Sequence, residues 1–158
     1  MQTRTFCFLS ALLLMVATSA EADHLRFEGD WVAGQPVSAG ISSESGWEAA
    51  ELVEGGVVSI AGHQLALPDG VTCLIGAMSI DTWHNDVEHF GSGGGNWSDI
   101  GLSPIGGDNY PIFRHALDCG GTGPFNLIHE GDPSFLLLEF DGRVFVPLVR
   151  PNSSDVIG

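Results

Sequence analysis

Short apolar runs separated by turn residues make up most of the chain after its first 25 residues. The clearest pair is Phe135–Phe140 and residues 143–149, which are joined by Asp141 and Gly142. Asp-Gly readily adopts the positive φ angles of a type I′ turn, and apolar strands flank it here. The pattern therefore predicts a β-hairpin near the end of the chain.

This hairpin is apolar on both faces. Leu136 and Leu138 fall on one side of its first strand, and Phe135 and Leu137 fall on the other. A sheet with one solvated face alternates more cleanly between apolar and polar residues. We therefore expect other parts of the chain to cover both faces.

About eight short strands can be counted along the chain, and only residues 43–54 favour a helix. There Trp47, Ala50 and Val53 fall on one side, a serine can cap the start, and Gly55-Gly56 follows the end. The sequence thus predicts an all-β fold, a small antiparallel barrel or sandwich with one short helix.

The middle of the chain is less regular. Residues 81–90 can extend as another strand, and residues 91–107 are rich in glycine without any periodicity. A stretch of that composition is typical of a long mobile loop.

The N-terminus has the three segments of a secretory signal. Arg4 supplies a positive charge, residues 6–16 are apolar, and Ala20-Glu21-Ala22 gives the small-x-small cleavage pattern. We expect residues 1–22 to be a signal peptide, residues 23–151 a single β-rich domain, and residues 152–158 a flexible tail. The protein would then be periplasmic or secreted, and no later segment is apolar enough to span a membrane.

Two cysteines remain once Cys7 has left with the signal. In an oxidising compartment Cys73 and Cys119 are expected to form a disulfide bond. The rival interpretation is a pair of metal ligands, but no Cys-x-x-Cys or closely spaced Cys/His partner accompanies them.

The charge balance restricts the partners. The chain has 5 Lys+Arg, none of them lysine, against 20 Asp+Glu, for a net charge of −15. Such a surface repels nucleic acid and anionic membranes. Two interpretations stay open: solubility in a salty medium, or attraction to a basic partner protein.

One polar cluster could bind a divalent metal ion. His84, Asp86, Glu88 and His89 place two imidazoles and two carboxylates within six residues. None of the recognised metal spacings is present, so a solvated acidic strand is the alternative. No other cofactor is indicated.

The sequence offers little for catalysis. It has no Gly-x-Ser-x-Gly elbow, and a thiol nucleophile is excluded if both cysteines are oxidised. The glycines of residues 91–95 lack the lysine of a phosphate-binding loop. We therefore expect a protein that is not an enzyme.

Two family resemblances rest on short motifs. Gly29-x-Trp31 resembles the Gly-x-Trp that opens the first strand of lipocalins, small barrels that hold apolar ligands. The layout of signal, acidic β-rich domain and one disulfide is similar to that of periplasmic lysozyme inhibitors. Those families present a Ser-Gly-x-x-Tyr loop to the lysozyme cleft. Here Gly107 and Tyr110 match that motif, with Gly106 in place of the serine.

The sequence therefore predicts a secreted, non-enzymatic binding protein, an inhibitor of a cationic protein such as lysozyme, with Gly107, Tyr110 and Trp31 as binding residues. Two alternatives remain: a lipocalin-like carrier of a small apolar ligand, and a periplasmic protein that binds a divalent metal.

Overall fold

The computed structural model describes residues 26–82, 86–103, 110–121, 123–141 and 143–151, without the side chains of residues 86 and 87. The strands are β1 Gly29–Ala33, β2 Val37–Ser38, β3 Val57–Ala61, β4 Gln64–Ala66, β5 Thr72–Thr82, β6 Pro111–Asp118, β7 Asn126–His129, β8 Phe135–Phe140 and β9 Val144–Val149. Two helices, α1 Glu44–Glu51 and α2 Asp86–Phe90, accompany the 3₁₀ turns Gly91–Gly93 and Trp97–Ile100.

The strands close into an antiparallel barrel. From β3 to β9 each strand pairs with the next along the chain, β1 pairs with β3, and β1 also pairs with β9. That last pairing closes a ring of eight strands, while the two-residue β2 pairs with the same edge of β9 as β1 does, nearer the start of β9. The predicted all-β class is confirmed, and the architecture is the barrel and not the sandwich.

Alternate residues of the strands fill the barrel interior. Trp31, Val58 and Leu138 belong to this inner cluster and are fully buried. Because the side-chain period of a strand is two, the intervening residues of the same strands point outward. Burial of the inward set fixes the register, since a slip of one residue would turn it to solvent.

The predicted hairpin is β8–β9, but its turn differs from the prediction. Phe140 pairs with Val144, so the loop has three residues and not two. Arg143 closes that loop with φ 72°. A final residue in the left-handed region is the usual geometry of a three-residue hairpin loop.

Helix α1 confirms the predicted helix and closes one end of the barrel. Ser43 caps its start by accepting a hydrogen bond from the Gly46 N–H. Ala50 and Val53 are buried in the inner cluster, and Trp47 packs against it. A β-carbon on Gly46 would lie 1.9 Å from the Asp141 carbonyl oxygen, so the helix touches the β8–β9 turn backbone to backbone.

The connection between β5 and β6 covers the outer wall of the barrel. Phe90, Trp97 and Leu102 are buried against outward-facing residues of the barrel, including Leu137 and Phe145. Both faces of the hairpin are thus covered, as predicted.

Two predictions for this connection were wrong. Strand β5 ends at Thr82 and residues 86–90 form a helix, so residues 81–90 are not a strand. The part of the glycine-rich stretch up to residue 103 is packed and not a mobile loop. Its glycines permit backbone-to-backbone contact: a β-carbon on Gly95 would lie 2.6 Å from the carbonyl carbon of Ala39. A sequence period cannot reveal a layer that packs through buried aromatic residues and glycine backbone.

The predicted disulfide is present. Cys73 near the start of β5 is bonded to Cys119 just after β6, 46 residues along the chain. The bond therefore ties together the two strands that the long connection separates. Among the described residues, no helix has the length and apolar character needed to cross a membrane.

Candidate functional site

The two ends of the barrel differ. Because the strands alternate in direction, the β4–β5, β6–β7 and β8–β9 connections meet at one end, here called the lower end. Helix α1 and the Cys73–Cys119 bond lie there. The β3–β4 turn, the long β5–β6 connection and the β7–β8 connection meet at the opposite, upper end.

At the upper end β5 extends past its neighbour β4. Within β5, strand β4 pairs only with Thr72, Cys73 and Leu74, and the Ile75 N–H then donates to the His63 carbonyl. For residues 76–80, no described strand pairs on the side away from β6. All five of these residues are exposed. We call residues 76–80 the upper β5 edge.

Two large apolar side chains of this edge are exposed on the inward face of the sheet. Met78 lies opposite His115 and Ile80 lies opposite Phe113 on β6. Directly opposed residues share a face, and His115 is buried. Met78 and Ile80 are nevertheless 45% and 59% exposed. Within the part of the chain that the structure describes, the barrel wall is therefore incomplete beside these two residues.

A histidine pair lies next to this gap. The Nε2 atoms of His115 and His129 are 3.1 Å apart, and both rings are buried. His129 Nδ1 accepts a hydrogen bond from the Gly131 N–H at 2.9 Å. The proton of neutral His129 therefore sits on Nε2 and is donated to Nε2 of His115.

This tautomer opposes a metal ion held by both Nε2 atoms. A histidine that binds metal through one nitrogen usually donates a proton from the other. Nδ1 of His129 instead accepts one from Gly131. We interpret the pair as a buried hydrogen bond that orients the aromatic residues around it.

Aromatic rings surround the pair. Phe113 stacks on His129 with 5.0 Å between ring centroids, and Phe27 packs on the same ring at 4.3 Å. Phe113 lies directly opposite Ile80 on the same face, so the aromatic rings around the pair border the upper β5 edge.

Tyr110 lies at the upper end, as its position before β6 requires. Its hydroxyl donates to the Glu130 carbonyl at 2.9 Å, and the side chain is half-buried. Burial raises the pKa of the Glu130 carboxyl, against the lowering effect of the Ser103 N–H that it accepts. Tyr110 therefore joins the β5–β6 connection to the turn after β7. Gly107, the other residue of the predicted motif, lies outside the described residues.

Trp31 is fully buried in the middle of β1. Its indole N–H donates to the Phe27 carbonyl at 2.9 Å, and the Arg150 guanidinium lies 3.9 Å from its ring centroid. Arg150 also donates to the Glu28 carbonyl. These contacts close the upper end on the β1–β9 side, so the gap lies on the β5 side.

The predicted metal ligands are only partly described. His84 and the side chain of Asp86 lie outside the described residues. Glu88 is exposed, whereas the His89 side chain is only 6% exposed and packs on Trp97 with 4.2 Å between ring centroids. No group of three or more metal-ligating side chains is found in the part of the chain that is described. The metal hypothesis stays a prediction.

His89 belongs instead to a polar cluster on the outer wall. Its ring nitrogens lie 3.7 Å from Asp81 and 3.8 Å from Glu139, and Arg114 bridges those two carboxylates. Burial, aided by the nearby Arg114 charge and opposed by Asp81, lowers the pKa of His89 to about 4. Burial raises the pKa of Glu139, although Arg114 and Asn126 oppose that shift.

The described cations are used inside the fold. Arg26, Arg143 and Arg150 donate hydrogen bonds to backbone carbonyls, and Arg114 pairs with Asp81 and Glu139. The exposed carboxylates far outnumber them and are those of Glu28, Asp30, Glu44, Glu48, Glu51, Glu54, Asp69, Glu88, Asp99, Asp118, Asp132 and Asp141. The protein therefore presents a strongly negative surface.

Sequence reasoning missed the upper β5 edge and the histidine pair. A long strand beside a three-residue strand leaves an edge, but the lengths of β4 and β5 are not evident from their composition. His115 and His129 are 14 residues apart, so only strand pairing shows that they meet. Comparison of the chain with protein-family models, with curated proteins and with solved structures found no match.

Proposed function

We propose that this chain is an exported, non-enzymatic binding protein whose partner is a cationic protein. The fold supplies a closed β-barrel with a disulfide bond, which suits an oxidising compartment. The export itself rests on the leader sequence. The barrel carries the acidic surface, and the upper end supplies an exposed apolar edge beside it.

One observation supports this proposal most. The net charge is −15, and the described arginines bond to the chain's own backbone or to one wall cluster. Solubility alone needs much less charge, since a net charge of about 2–8 suffices for a small domain. A field of this size accelerates association with a basic partner and weakens as salt increases.

Binding to basic proteins tests the proposal directly. Lysozyme serves as the cationic probe and an acidic protein of similar size as the control, each measured by biolayer interferometry on the immobilised chain. We expect lysozyme to bind at about 20 mM salt and to lose at least about tenfold in affinity at about 300 mM. The absence of any binding at low salt to lysozyme and to a panel of other basic proteins would contradict the proposal.

The barrel architecture favours one second candidate, a carrier of a small apolar ligand. Closed eight-stranded up-and-down barrels can hold one small ligand, as in lipocalins. Trp31 lies in the interior and reports on it. Titration with fatty acids and retinoids, followed by tryptophan fluorescence and native mass spectrometry, separates the candidates. A ligand bound with one-to-one stoichiometry supports the carrier, and unchanged spectra and masses count against it.

A further inference from the structure

We infer that the upper β5 edge binds an extended segment of the basic partner by strand addition, with lysine or arginine alternating with apolar residues. This inference rests on the proposed function and specifies its binding site. In strand addition, backbone hydrogen bonds supply affinity and the alternate side chains supply specificity.

The backbone of the edge fits this mode. Residues 78–80 pair with β6 on one side, and no described strand pairs with residues 76–80 on the other side. Exposed strands are usually protected by lysine, proline or very short length. The sequence Gly-Ala-Met-Ser-Ile has neither lysine nor proline, and only a register shift between Ile75 and Met78 interrupts it.

The exposed side chains of the edge predict which kind of residue the bound segment turns towards the barrel interior. Met78 and Ile80 are exposed on the inward face, beside Phe113 and the buried histidine pair. An apolar residue of the added strand would cover them and complete the barrel wall. We therefore expect every second residue of the partner segment to be apolar.

The negative charge at the upper end predicts the residues of the partner segment that alternate with the apolar ones. Glu28 and Asp132 are exposed at the upper end, just before β1 and on the β7–β8 connection. Glu28 is placed there by accepting the Gly62 N–H from the β3–β4 turn. Basic residues alternating with the apolar ones would meet this negative field.

The same charge disfavours a second copy as the occupant. Two chains of net charge −15 joined at this edge would repel each other. A basic segment gains from the same charge, so we assign the edge to the cationic partner.

A pair of synthetic peptides tests the mode of binding. The first alternates lysine and valine over roughly seven residues, and the second is the same peptide with alternate backbone nitrogens methylated, which removes the donors but retains the side chains. We expect the methylated peptide to bind at least about tenfold more weakly. Equal affinity of the two would leave the charge attraction standing and overturn strand addition.

Hydrogen exchange locates the site. We expect amides within residues 76–80 to be slowed when the unmethylated peptide is bound, with little change in the paired residues 72–74. Protection elsewhere without protection here would overturn the inference while the proposed function stands. Sedimentation equilibrium without peptide tests for a dimer. If a dimer forms and hydrogen exchange shows these amides protected in it, the inference is overturned in favour of a second copy of the chain.

Matched variants complete the test. Met78→Thr with Ile80→Thr should weaken peptide binding by about tenfold. Leu74→Thr is the control, because Leu74 is 54% exposed on the same strand but lies where β4 already pairs. Equal losses for the control and the double variant would overturn the assignment. Failure of the wild type to bind any basic peptide or protein would overturn both this inference and the proposed function.

Discussion

The chain closes the lower and upper ends of this barrel in different ways and to different extents. At the lower end helix α1 covers the interior, the Cys73–Cys119 bond ties β5 to β6, and the helix backbone touches the β8–β9 turn. At the upper end Arg150 and Trp31 close one side, whereas the β5 side shows an exposed strand edge with Met78 and Ile80.

Under the proposed function, this difference separates residues that stabilise the fold from residues that bind the partner. Backbone groups and apolar side chains at the lower end are satisfied by the chain itself, so changes there should alter the free energy of unfolding. The upper β5 edge has backbone groups that another strand can satisfy, so changes there should alter binding and leave stability nearly constant.

The largest expected effect is loss of the disulfide. Replacing both cysteines, Cys73→Ala with Cys119→Ala, should lower the free energy of unfolding by about 4 kcal/mol, because the bond closes a long loop in the unfolded chain. Urea unfolding measures the change, and the wild type under reducing conditions is the control. A loss below about 1 kcal/mol would show that the lower end does not depend on this bond.

Gly46→Ala tests the contact between helix and turn. Alanine usually stabilises a helix by about 1 kcal/mol relative to glycine. Here its β-carbon would lie 1.9 Å from the Asp141 carbonyl oxygen, so we expect a loss of about 3 kcal/mol instead. Glu48→Ala, at an exposed position of the same helix, is the control. A gain in stability for Gly46→Ala would refute the close approach.

His89 makes the outer wall sensitive to pH. Its pKa is about 4 in the folded chain against 6.5 without the fold, so below pH 6.5 the unfolded chain takes up a proton that the folded chain does not. Stability should therefore fall as the pH falls from 6.5 towards 4, by roughly 2 kcal/mol from this residue. Across this pH range the urea midpoint should change less with pH for His89→Gln than for the wild type. Parallel profiles for the two proteins would contradict the assignment.

The smallest stability change is expected at the upper β5 edge. Met78→Thr with Ile80→Thr should alter the free energy of unfolding by no more than about 0.5 kcal/mol, because both side chains are already exposed. The same urea titration measures it. A loss above about 2 kcal/mol would mean that these residues belong to the core and would erase the contrast between the two ends.

Much of the fold follows from local pattern. The hairpin at Asp141, the helix capped by Ser43 and the all-β class each depend on residues close together in the chain, where turn propensity and side-chain period act. The disulfide was predicted because two cysteines follow the predicted signal peptide, which would direct them to an oxidising compartment. The turn geometry did not follow, because Phe140 pairs with Val144 across a three-residue loop that ends at Arg143 with φ 72°.

The candidate site could not be predicted from the local sequence pattern. The glycine-rich stretch becomes a packed layer because Phe90 and Trp97 meet residues of β8 and β9 that lie about 50 residues away in the chain. His115 meets His129 only because β6 pairs with β7, and the upper β5 edge arises only because β5 is longer than β4 in the closed ring.

The sequence by itself determined the β-rich class, the helix that Ser43 caps, the cysteine pair and the acidic charge, because each depends on composition or on neighbours within a few residues. Only the tertiary structure decided that the strands close into a barrel, which glycines pack against backbone, and where the described part of the barrel wall is incomplete. Those outcomes depend on strand pairing between distant segments, and pairing length and register are properties of the assembled sheet.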